Sequence, residues 1–193
     1  PKTLLRISSN CYSCISIINN LALRFAIEKE IPVILSGFTL GQIPVNTIIF
    51  QNNYRFLQES REGYLNKLRD IAGHMIDDYF CISERVLSKV KKYPYNVNLL
   101  CLEDVSENEI IKRIEQIGWE MPVDVDGCSS NCKINAFNNY VHKETYGYNP
   151  YELELSHLIR KNQLSRKEAL EKIEKQPEEQ IVEIMDDLEI SKD

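Results

Sequence analysis

The chain has 193 residues, 43% of them hydrophobic and 27% charged, and 29 acids against 23 Lys and Arg give a formal net charge of −6. That size suits one ordinary domain, or one domain with an appendage, and the acidic balance argues against broad, sequence-blind binding of nucleic acid. No apolar stretch approaches the roughly 20 residues needed to cross a bilayer, and no charged-then-apolar leader opens the sequence. A cytoplasmic protein without a membrane partner is expected.

Residues 12–30 read as a helix, with Ile15, Ile18, Ala22, Phe25 and Ala26 at helical spacing and Ser9 or Asn10 as cap. "EIPVILSGF" reads as a buried strand with Pro32 at its start, and Gly37 and Gly41 bracket the loop after it. Residues 44–60 are expected to be mostly helical. A long helix over 62–91 follows, striped by Leu65, Leu68, Ile71, Met75, Tyr79, Ile82 and Val86. "YPYNVNLLCLED" gives a turn and a second buried strand at about 97–102. The basic run just before it, "SKVKKYPY" at 88–95, is a solvated helix end on this reading. Ser106 and Glu109 then form a capping box for a helix. After Trp119 the character changes to loop, then to a helix at about 129–144 and a helical tail. In that tail Ser165 and Glu168 make a second capping box, and Pro177 suits the first turn of the last helix. The expected class is α/β, a partial parallel sheet flanked by helices. Residues 1–118 form the α/β part and 119–193 a Cys-containing loop with a helical extension.

Six cysteines occur, four of them in two close pairs: Cys11 and Cys14 in "SSNCYSC", Cys128 and Cys132 in "DGCSSNC". Without a secretory mark, close pairs point to metal or redox chemistry before disulfides. Both pairs sit at a predicted helix start, where outward N–H groups favour thiolate, so a shared zinc or iron–sulfur site is the leading reading. Spacing does not separate the two metals, and unconnected or redox-active thiols are the rival. Cys81 and Cys101 lie in apolar patterns and are expected in the core.

Two further stretches are candidates. "LSGFTLGQ" sets Gly37 and Thr39 at the carboxyl end of a strand, where open α/β sheets bind ligands; backbone near Gly37 and Gly41 could approach a phosphate, or simply form a tight loop. Asp124 and Asp126 in "DVDG" could serve as acid–base groups or hold Mg2+, while Asp before Gly is also ordinary turn chemistry.

With those residues in view, "NCYSCISIINNLALRFAIEKEIPVILSGFTLGQ" resembles the second half of a PP-loop ATPase domain of the adenine nucleotide alpha-hydrolase-like superfamily, which is Rossmann-like. The run from "DVDGCSSNC" through "LIRKNQLSRKEAL" is similar to the tail of its N-acetyl sugar amidotransferase-like branch, with Ile159 to Leu170 carrying most of the likeness. The S-G-G-x-D-S-like pyrophosphate loop of that superfamily does not occur here. Together with the start at Pro1, this leads to the expectation of a C-terminal portion whose missing N-terminal segment, or a separate subunit, supplies the loop. The resemblance implies ATP and Mg2+ as cofactors and an amido- or sulfur-transferase that adenylates an oxygen and displaces AMP. It also implies Cys11, Cys14, Cys128 and Cys132 as ligands of an iron–sulfur cluster or zinc, Gly37 and Thr39 on the nucleotide side, and Asp124 or Asp126 at metal or substrate. A small molecule or sugar is the expected substrate, and a homo-oligomer is compatible. The rival function is a non-catalytic, metal-stapled module docking a partner through its acidic helical tail.

Overall fold

A computed structural model describes residues 9–103, 105–122, 125–128, 132–175 and 177–190. Asn10 precedes α1 (Cys11–Glu28), and the Cys11 amide donates to Ser9 Oγ at 3.1 Å. The apolar run after Pro32 becomes β1 (Val33–Ser36). Helix does not fill residues 44–60. One 3-10 turn at 45–47 leads into β2 (Ile49–Gln51), because β-branched and aromatic side chains in "TIIFQ" fit a pleated surface better than a helix. Asn53 then caps α2 (Tyr54–Ala72), its side chain accepting from the Phe56 amide at 2.9 Å.

The expected single helix over 62–91 is broken. At Gly73 φ becomes +64°, a conformation that suits glycine, and α2 stops there. A 3-10 turn and two one-turn helices, α3 (Asp77–Phe80) and α4 (Glu84–Leu87), carry the rest of the apolar stripe. Cys81 is exposed in this stretch, contrary to the core role expected of it, whereas Cys101 is buried and donates to the Phe38 carbonyl at 3.2 Å.

β3 (Tyr95–Asn98) lies between the other two strands, parallel to β1 and antiparallel to β2. The molecule is α/β, but its three-stranded sheet is mixed rather than parallel. Val33, Leu35, Tyr95, Val97 and Ile49 share one face by register. On that face Leu35 is 65% exposed, and Val33 and Ile49 are also exposed. The strand expected to be buried is therefore wet on one side.

Two apolar clusters hold the first half. Ile27, Leu57, Ile82 and Leu87 join α1, α2 and α4, while Leu65, Leu68, Ile76 and Phe80 join α2 to the turn behind it. α5 (Glu107–Glu115) starts on the predicted Ser106–Glu109 capping box. The later helices are α6 (Asn135–Tyr146), α7 (Glu152–Arg160), α8 (Arg166–Glu174) and α9 (Glu178–Asp187). α8 begins on the predicted Ser165–Glu168 box, and Pro177 is the N-cap of α9. α6 and α9 bury Ala136, Phe137, Ile181 and Met185 between them. No helix among the described residues is long and apolar enough to cross a membrane.

Candidate functional site

Parallel pairing sets Ser36 opposite Asn98 at the carboxyl ends of β1 and β3. Ser36 Oγ donates to Asn98 Oδ1, and Asn98 Nδ2 donates to the Thr47 carbonyl at 2.9 Å, so polar side chains tie these strand ends together. The chain then runs through Gly37–Gln42 toward the C-terminal helices. Gly41 adopts φ +93°, and a Cβ there would lie 3.0 Å from the Glu154 carbonyl oxygen and 3.1 Å from its Cα. This glycine thus serves a close backbone approach to α7.

Between the Gly37–Gln42 loop and the C-terminal helices lies a cavity of about 210 Å³. Gly37, Thr39 and Gln42 line one side, and Cys128, Tyr151, Glu154 and Lys172 the other, with Glu107 entering from α5. The two cofactor-side residues from the sequence, Gly37 and Thr39, therefore face one predicted cysteine across a common space. Lys172 Nζ lies 2.7 Å from Glu107 Oε2 and donates to the Gly127 carbonyl at 3.2 Å. Burial pushes the Glu154 carboxyl up to about 7, opposed by a hydrogen bond from Gln42 and reinforced by Glu107. Burial likewise raises the Cys128 thiol to about 12, with Asp126 adding to it, and raises the Tyr151 phenol. At neutral pH the cavity presents an uncharged thiol and phenol beside a carboxyl poised to exchange a proton.

A polar seam joins the start of α1, which carries Cys11, to the start of α6 and the turn that carries Cys128. The Asn10 amide donates to Asn138 Oδ1 at 3.1 Å, and Asn138 Nδ2 donates to Cys11 Sγ at 3.3 Å. Asn135 Nδ2 donates to Asp126 Oδ2 at 2.7 Å, and Asp126 Oδ1 accepts from the Cys128 amide at 2.6 Å. Tyr151 Oη donates to Asn135 Oδ1 at 3.3 Å. The start of α1, the start of α6 and the "DG" turn are thereby one buried network. Burial raises the Cys11 thiol, a hydrogen bond from Ser9 opposes the rise, and Cys132 and Cys14 add to it. Cys128 points elsewhere, its thiol 3.8 Å from the Lys172 carbonyl. Neither Cys128 nor Cys132 lies on a helical turn, since α6 starts only at Asn135. Among the described residues no three Cys, His, Asp or Glu side chains converge as a metal-binding group. The donors as arranged do not form the four-sulfur set expected from the spacing.

Asp126 spends both carboxylate oxygens on this seam, so its position is that of an internal clamp. Asp124 lies outside the described residues. Gly127 is the second bare approach: a Cβ would run into the Lys172 carbonyl, with the Lys172 Cα only 2.9 Å away. Sequence reasoning missed Glu154, Tyr151, Lys172 and the seam asparagines. One signal was present in "NAFNNY", where Asn135, Asn138 and Asn139 fall at i, i+3 and i+4 on one face. All three are buried.

Residues 127–193 match the family described as LPS biosynthesis protein WbpG-like, C-terminal domain. The matched segment contains the Ile159–Leu170 run as well as Cys128, Cys132, Glu154 and Lys172. No curated protein and no solved structure matches the chain.

Proposed function

We propose that this chain is part of an ATP-dependent PP-loop transferase that modifies a sugar, with the WbpG-like segment forming one wall of its active site. One observation carries the reading. The segment similar to the WbpG-like domain packs over the carboxyl ends of the parallel strands β1 and β3, where open α/β sheets bind ligands, and encloses a cavity with Gly37 and Thr39. In such a reaction a sugar carbonyl or carboxyl oxygen attacks the α-phosphorus of ATP and releases pyrophosphate. A nitrogen or sulfur nucleophile then takes the carbon, and AMP leaves.

Among the described residues β1 is an edge strand, and that edge with the wet face of Leu35 and Ile49 is where a further β–α unit, bearing the phosphate loop, would add. A longer form of this chain or a separate subunit supplies it. A zinc or iron–sulfur centre on Cys11, Cys14, Cys128 and Cys132 belongs to the same reading. It requires Cys128 to leave the Lys172 carbonyl and join the other three thiols. Metal analysis with an optical spectrum of anaerobic protein tests that centre; metal-free protein with all four thiols open to alkylation would remove it.

The reaction is tested with the complete protein, ATP, Mg2+, an ammonium or sulfide donor, and nucleotide-linked sugars bearing acetamido or carboxyl groups. Sugar-dependent formation of AMP and pyrophosphate is expected. Formation of ADP, or AMP release indifferent to sugar, would overturn the assignment.

A further inference from the structure

The strand-end cavity has a charge pattern and a size that select one kind of guest. Its acids, Glu107 and Glu154, enter from α5 and α7, and Lys172 is the one cation among its described lining residues. That cation is committed to Glu107 and to the Gly127 carbonyl. Glu154 takes its hydrogen bond from the neutral amide of Gln42, whose own Oε1 accepts from the Thr39 amide at 2.8 Å. The Gln42 amide is thereby held with its donor end toward the carboxyl. Leu40, Leu100, Ile110 and Leu155 make up much of the remaining wall.

A phosphate placed here would meet two carboxyl groups and a lysine already paired. Placed in the same space, a small cation would meet the Glu154 carboxylate, whose one cationic neighbour among the described lining residues, Lys172, is already paired with Glu107, in surroundings dry enough to strengthen the contact. The volume is below the roughly 300 Å³ at which ordinary small-molecule pockets begin, which favours a group of a few heavy atoms over a nucleotide.

We propose that this cavity binds the ammonium group of a small primary amine, with Glu154 as its acceptor. The proposal rests on the strand-end cavity being the working site of the enzyme described above, yet it requires neither ATP nor turnover. It turns the Gly37–Thr39 side from a phosphate cradle into a wall of an amine site. The charged and titratable groups facing Glu154 are Glu107 and Lys172 on the neighbouring helices and Cys128 on the turn. Below about pH 7 Glu154 is protonated and offers no charge, so binding weakens as pH falls through that range.

The test follows the Glu154 carboxyl by NMR in the 193-residue chain, with methylammonium, tetramethylammonium or inorganic phosphate added at constant ionic strength. Methylammonium is expected to move the Glu154 titration to lower pH, with binding that strengthens from pH 6 to pH 8. Tetramethylammonium, which has no N–H donor, and phosphate are expected to leave it in place. E154Q, followed instead by the shift of the Gln42 side-chain amide on adding methylammonium, should weaken binding at pH 8 by at least about tenfold, the usual scale for losing a charged hydrogen-bond partner. A Glu154 titration indifferent to methylammonium, equally shifted by tetramethylammonium, or moved instead by phosphate would overturn the proposal. Should E154Q fail to fold, the three titrations of the unaltered chain decide alone. Loss of sugar-dependent AMP formation in the complete protein would refute the reaction and leave this binding result untouched.

Discussion

Residues 9–103 and the junction with the C-terminal segment are held by opposite means. The first bury Leu57, Leu65, Leu68, Ile76 and Phe80 in aliphatic clusters. The junction buries Asp126, Asn135, Asn138 and Asn139 beside the half-buried thiol of Cys11. Aliphatic clusters tolerate rearrangement provided volume is kept. A buried amide network is satisfied in one register only, and each unpaired group in it is costly. The junction therefore contributes positional accuracy where the cavity forms, while the helical clusters supply most of the stability.

The largest expected effects come from the clusters on either side. F80A and F137A should each cost about 3–5 kcal/mol, because both rings are almost fully buried. Urea unfolding of the two variants sharpens the comparison: one shared transition, lowered by either change, means the polar seam couples the halves. Two separate transitions would show that it does not.

G127A comes next. Its Cβ collides with the backbone of α8, so a cost of about 1–3 kcal/mol is expected in denaturant midpoints. An unchanged midpoint would mean that α8 shifts freely, and the cavity with it. D126A follows at about 1–3 kcal/mol, since it leaves the Cys128 amide and the Asn135 side chain without their acceptor. The same variant should speed iodoacetamide labelling of Cys128 relative to exposed Cys14, read by mass spectrometry. Unaltered labelling would place the turn's rigidity elsewhere.

The smallest effect is a pH signature. In the folded chain the Glu154 carboxyl titrates near 7, above its ordinary value of 4.5. The folded state therefore binds more protons than the unfolded chain between those limits. Stability from this group is full below about pH 4.5 and lost as pH rises through about 7. E154Q should remove that loss, gaining about 1–2 kcal/mol relative to the parent at pH 8 compared with pH 4.5, after allowance for partial exposure. Parallel stability–pH curves for the two proteins would refute it.

Much of the local structure was legible because it rests on local chemistry. Both capping boxes, Ser106–Glu109 and Ser165–Glu168, formed as read. The long helix over 62–91 failed because one glycine at positive φ outweighs a continuing apolar stripe. β2 was missed because its three residues are defined by pairing with β3, a contact some 46 residues away along the chain at Phe50 and Asn96. At the site, Cys11, Gly37, Thr39, Asp126 and Cys128 were singled out from type and spacing, and the fold brings them to one seam and its cavity. Glu154 and Lys172 sit among the many charges of the helical tail, and nothing local distinguishes them. Only burial against the strand ends does.

The wet apolar face of β1, β3 and β2 has a consequence for biosynthesis. Among the described residues nothing pairs with the outer edge of β1, and a newly made chain in that state would carry an open strand edge beside an oily surface, which is a template for self-association. Timing on the ribosome then matters as much as affinity. A covering element made earlier in the same polypeptide would be waiting, whereas one delivered by another subunit would leave the nascent chain dependent on chaperones.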